Sequence, residues 1–109
     1  MSKKEFRETW DFELAWSDVI ERHADELKKL ALKELKKEGI DVSYEDLYTI
    51  PELYDYYYDL ALSKGVPEEM VSYLDFCEMA WDDYTGGALN YVDVKLKEGG
   101  SARVFYWYY

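Results

Sequence analysis

Residues 89–109 read LNYVDVKLKEGGSARVFYWYY. Two runs rich in β-branched and aromatic side chains, 89–96 and 102–109, flank Gly99-Gly100, and this pattern predicts an antiparallel hairpin. A two-residue turn on the glycines sets Leu96 opposite Arg103, Val94 opposite Phe105 and Val92 opposite Trp107. One face then carries Val92, Val94, Leu96, Phe105 and Trp107 toward the interior, and the other shows Tyr91, Tyr106 and Tyr108. A hairpin alone is marginal in water, so it needs helices beneath it or a third strand beside it. The segment EFRETWDFEL (5–14) is the candidate strand, because Phe6, Trp10, Phe12 and Leu14 alternate with Arg7, Thr9, Asp11 and Glu13. A helical reading competes, since Phe6, Trp10 and Leu14 also fall at i, i+4 and i+8.

Between these ends the chain reads as helices. Residues 17–38 carry Ile20, His23, Ala24, Leu27, Leu30, Ala31 and Leu35 in one stripe, with Ser17 as N-cap and Gly39 as stop. Ser43-Tyr44-Glu45-Asp46 signals a short capped turn over 44–48. Thr49-Ile50-Pro51-Glu52 is a fuller capping box, opening a helix that runs to about Ser63 and closes at Gly65. Pro67 opens a further helix to about Asp82, broken by Gly86-Gly87. The expected fold is α+β: three or four helices packed on a small antiparallel sheet that contains the C-terminal hairpin, all in a single domain over 1–109.

The chain has 109 residues, 49% of them apolar and 18% aromatic, with 24 acids against 13 Lys plus Arg and a formal net charge of -11. Direct binding to nucleic acid or to an anionic membrane is disfavoured, because phosphates would be repelled. One cysteine, Cys77, forbids an internal disulfide, and no run approaches the length of a membrane helix. A cytoplasmic setting, within a host bacterial cell on the reading developed below, is the expectation.

Motifs for chemistry are sparse. His23, the single histidine, falls on an apolar helix face, and Cys77 lies between Phe76 and Trp81 with no base nearby in sequence to activate it. One Cys and one His give no zinc spacing, and the acids match no calcium loop. Gly86-Gly87 follows a helix and lacks the Lys-Ser/Thr of a phosphate loop. The expectation is a non-enzymatic protein with no cofactor, no metal and no catalytic residues.

The charge is unevenly placed. Residues 41–84 hold twelve acids and one base, Lys64, together with eight of the twelve tyrosines. Glu52, Asp55 and Asp59 stand at i, i+3 and i+7 on one expected helix. Asp75, Glu78 and Asp82 repeat that spacing on the next, with Glu68 seven residues before Asp75. Seven helical residues advance about 10.5 Å, so carboxylates on two adjacent helices could imitate the spacing of charge along a duplex. With Asp83, Tyr56 and Tyr84, these acids form the candidate partner-binding set, suited to a basic nucleic-acid-binding protein. The plain alternative is a solvated acidic surface, with Tyr54, Tyr57 and Tyr58 in the core.

The stretches VIERHADELKKLAL (19–32) and, more loosely, DLYTIPELYDYYYDLALSKGV (46–66) resemble phage-encoded DNA-mimicking anti-defence proteins of the Ocr-type antirestriction and anti-CRISPR kinds. The resemblance covers about a third of the chain and contains no diagnostic motif. It implies an inhibitor, encoded by a phage or mobile element, that occupies the basic groove of a CRISPR effector, a restriction enzyme or another DNA-processing protein. The lysine-bearing first helix and the hairpin depart from the all-helical antirestriction pattern. Two other readings use different features. An immunity protein or antitoxin for a basic toxin would use the same acids. An aromatic platform of Tyr91, Tyr106, Trp107 and Tyr108 would suit a carbohydrate or small ligand. ARVFYWYY (102–109) would also be a sticky edge unless covered, which allows a homodimer alongside any of these.

Overall fold

The computed structural model describes residues 1–108 and shows an α+β fold. In chain order the elements are α1 (Lys3–Ala15), α2 (Ser17–Arg22), α3 (Ala24–Lys37), a single 3-10 turn (Tyr44–Asp46), β1 (Leu47–Thr49), α4 (Ile50–Ser63), α5 (Glu68–Val71), α6 (Phe76–Thr85), β2 (Leu89–Lys95) and β3 (Ser101–Trp107). The three strands form one antiparallel sheet in the order β1-β3-β2. Residue 109, the last of the expected second hairpin strand, lies outside the described residues.

Helices cover both faces of the sheet. On one side Phe6, Trp10, Leu53, Tyr57, Phe76, Ala80, Leu89 and Phe105 pack together, which joins α1, α4 and α6 to the strands. On the other, Ile20, Leu27, Ala31 and Leu35 pack on Leu47, Val94, Ala102, Val104 and Tyr106. The sheet is therefore sandwiched, and β3 feeds both cores through alternate side chains.

Three expectations about the N-terminal half change. Residues 5–14 are helix, not strand. Phe6, Trp10 and Glu13 are buried at i, i+4 and i+7, whereas Phe12, which alternation would turn inward, is 62% exposed. Ser2 caps the helix by accepting from the Glu5 N–H. The third strand is instead β1, immediately before the Thr49 capping box. The expected 17–38 helix is split at His23 into α2 and α3. The break has a purpose in packing, since α1 lies on one face of the sheet and α3 on the other, and α2 carries the chain across.

The hairpin forms, with a different register. Leu96 and Gly100 close a three-residue loop in which Gly99 takes a positive φ of 96°, a conformation that favours glycine. Val94 then pairs with Ala102, Val92 with Val104 and Tyr91 with Phe105. The shift of three residues from the expected pairing is odd, so it exchanges the two faces of β3. Tyr106 turns inward with Val92 and Val94, while Phe105 and Trp107 share the face of Tyr91. The aromatic platform of Tyr91, Tyr106, Trp107 and Tyr108 is therefore not assembled on one surface. Residues 102–107 of ARVFYWYY are likewise no edge strand, because β3 is the central strand.

Candidate functional site

The N-cap signals place the acidic side as the sequence predicts. Thr49 caps α4, and Glu52 reaches back to the Thr49 N–H (3.2 Å) and accepts from its hydroxyl (2.8 Å). Leu53, Tyr57 and Ala61 face the core, so Asp55 and Asp59 form the outward ridge. The expected helix over 67–82 is in fact two. α5 ends at Val71, and Asp75 caps α6 by accepting from the Cys77 N–H (3.1 Å). Glu68 is therefore on a separate element from Asp75, Glu78 and Asp82.

Ion pairing divides the candidate acids into two groups. Arg7 pairs with Asp75, and Lys3 with Glu78 at 2.7 Å, so α1 neutralises one side of α6. Lys28 reaches from α3 to Glu52 at 2.7 Å with only 12% of its side chain exposed. Burial opposes the Glu52 charge, but the bonds from Lys28 and Thr49 outweigh it and hold the carboxyl below its usual range. Asp83 accepts from the buried Tyr57 hydroxyl at 2.6 Å, and burial together with that bond pushes the phenol's pKa up. Each of these four acids is thus bound to another part of the chain. Asp55, Asp59, Glu68 and Asp82 are exposed, and none takes part in an ion pair among the described residues. The candidate tyrosines are half-buried. Tyr56 packs on Tyr48, Tyr57 and Trp107, and Tyr84 on Phe6, Trp81 and Tyr91.

The α5 segment exposes Met70, Tyr73 and Leu74 next to Glu68 and Glu69, with Tyr73 87% exposed. These residues gave no periodic signal. They stand out only once the expected helix is seen to break, leaving exposed apolar side chains beside Glu68 and Glu69.

Two groups met as possible chemistry are placed as follows. Cys77 lies in the core beside α1, and burial pushes its thiol up to about 11, away from the thiolate that a nucleophile needs. His23 sits at the α2–α3 break with its Nδ1 3.8 Å from Glu26. Among the described residues no group of three or more His, Cys, Asp or Glu is placed to hold a metal ion, and no helix is long and apolar enough to cross a membrane.

A second site was invisible in the sequence. Glu13, 4% exposed, accepts from the Arg103 N–H at 3.2 and 3.4 Å. The ladder between β1 and β3 explains why. Tyr48 pairs with Phe105, so position 50 would come opposite Arg103, but the chain has already turned into α4. Glu13 supplies the acceptor that the missing strand residue would have given. Desolvation raises its pKa to about 7, against the lowering effect of Arg103. A cleft of about 560 Å³ opens beside it, lined in part by Glu8, Thr9, Asp93 and Lys95. An apolar groove continues from it past Phe12 and Trp16. Comparison with known proteins finds no matching family, no matching curated protein and no matching solved structure.

Proposed function

We propose that the protein acts by binding, as a non-enzymatic inhibitor encoded by a phage or mobile element. It docks in the basic groove of a nucleic-acid-processing protein of the bacterial host, such as a CRISPR effector or restriction enzyme. The observation that carries this reading is the set of exposed carboxylates Asp55, Asp59, Glu68 and Asp82, which take part in no ion pair among the described residues, together with the exposed apolar side chains of Met70, Tyr73 and Leu74. Acids held in no ion pair repel one another, and a cationic groove relieves that repulsion while speeding encounter. Tyr73 and Met70, exposed next to Glu68 and Glu69, supply apolar contact beside charge, as interface anchors do. Asp75, Glu78, Glu52 and Asp83 contribute by shaping this surface rather than by meeting the partner.

The test follows from that division. The chain is used to capture proteins from bacterial lysate, and the bound fraction is challenged with salt and with duplex DNA. A nucleic-acid-binding protein released by both, and lost when Asp55, Asp59 and Glu68 are changed together to Lys, supports the reading. Retention of the same partner by that folded triple variant, or capture that ~0.5 M salt leaves intact, removes the electrostatic mechanism. Asp75 and Glu78 are unsuitable for this test, because reversing them would place like charges against Arg7 and Lys3.

A further inference from the structure

One edge of the sheet is closed and the other is open. Within the hairpin the even-numbered residues bond across the strands: the Tyr108 N–H donates to the Ala88 carbonyl (2.8 Å) and the Leu96 N–H to the Gly100 carbonyl (3.0 Å). Antiparallel alternation then turns the N–H and C=O groups of Tyr91, Asp93 and Lys95 away from β3. No described strand lies on that side, since β2 ends the order β1-β3-β2. At the other edge, β1 has its outward N–H groups taken within the chain, Leu47 by the Tyr44 carbonyl and Thr49 by the Glu52 carboxylate. The outer edge of β2 therefore offers a row of unpaired backbone donors and acceptors over seven residues.

We propose that this edge pairs with the same edge of a second copy, joining two sheets into one of six strands. The charges along β2 are self-complementary. Asp93 and Lys95 stand two residues apart on one face and are both exposed. In an antiparallel pairing centred on Val94, Asp93 of each copy lies opposite Lys95 of the other, so the two copies share two opposite-charge pairs. Space is available on both faces of the same stretch. The cleft of about 560 Å³ on the α1 side and another of about 350 Å³ on the α3 side, lined by Leu30, Glu34 and Val94, both reach Asp93 and Lys95. Side chains of an added strand would enter these hollows. The location also suits a chain with a net charge of -11, because residues 85–109 carry two acids against three bases. Two copies therefore meet here without the excess of acids that residues 41–84 carry. The inference is independent of what those acids bind.

Sedimentation equilibrium on the full chain tests it. At ~200 µM, which populates dimers with dissociation constants in the tens of micromolar, the wild type is expected to dimerise. Lys95→Asp sets acid against acid at both pairs and raises the dissociation constant at least tenfold. This is the decisive single variant, because it leaves the Asp93–Arg103 ion pair intact. Asp93→Lys sets base against base with the same effect. An equimolar mixture of the two variants forms a heterodimer, because every pair across the edge is then opposite in sign. A wild type that stays monomeric at that concentration overturns the proposal. So does a folded Lys95→Asp variant, checked by circular dichroism, that dimerises as tightly as wild type.

Discussion

Replacing Glu13 with Gln is expected to stabilise the protein in alkaline solution and to leave it unchanged in acid. The carboxyl is buried at the end of α1 and titrates at about 7 in the folded chain, against 4.5 for an exposed glutamate. Between those values the folded state holds a proton that the unfolded state has released, so stability falls as pH rises through this window. At ~1.36 kcal/mol for each unit of pKa, the full penalty on ionised Glu13 is about 3 kcal/mol above pH ~8. Gln keeps the oxygen that accepts from the Arg103 N–H and carries no charge to desolvate. The variant should therefore match wild type near pH ~4.5 and exceed it by about 2–3 kcal/mol near pH ~8.5. For a domain of this size that corresponds to a rise in Tm of roughly 10 °C or more. Urea unfolding followed by tryptophan fluorescence at several pH values measures it. Groups common to both chains cancel in the difference. Parallel pH profiles, or a variant less stable than wild type at alkaline pH, would refute the reasoning and show that the bond to Arg103 outweighs desolvation.

Two further perturbations probe the packing around the acids. Tyr57→Phe removes the donor to Asp83 from inside the α4–α6 contact and should cost about 1–2 kcal/mol in denaturant unfolding, against less than ~0.5 for Tyr54→Phe at the surface. Cys77 should resist thiol reagents at pH ~8 and react fully once urea opens the core, because burial holds the thiol protonated and out of reach; rapid labelling of the native chain would contradict its placement.

How far the sequence spoke for itself depended on whether the signal was local. The Thr49–Glu52 box, the stop at Gly65 and the hairpin all rest on contacts within a few residues, and each is present in the structure. The misread segments are those whose outcome was decided at a distance. Residues 5–14 satisfy both periods, and only the presence of Phe76, Ala80 and Phe105 on one side selects the helix that buries Phe6 and Trp10 together. The hairpin register turned on where the loop sits as well as how long it is, residues 97–99 rather than the glycine pair 99–100, and both glycines take a positive φ in the observed loop. Among the acids, i, i+3 spacing places Asp75 near Glu78 whatever else happens. It says nothing of Lys3 and Arg7, which arrive from the other end of the chain to neutralise them. Glu13 gave no sign of itself, because an orphaned N–H on a strand far along the chain is what calls it inward.

The double duty of β3 has a consequence in time. It sends Phe105 into one core and Val104 and Tyr106 into the other, and it is made after every other described element. Until it arrives, β1 has no partner, β2 has none, and neither helical layer has a floor to rest on. The pairing of Tyr48 with Phe105 also closes most of the chain's second half into one loop, an entropic cost met in a single late step. Without β3 the apolar stripe of α3 lacks the sheet it rests on, whereas α4 already has α1 and α6 to pack against, and a net charge of -11 opposes association of copies in that interval.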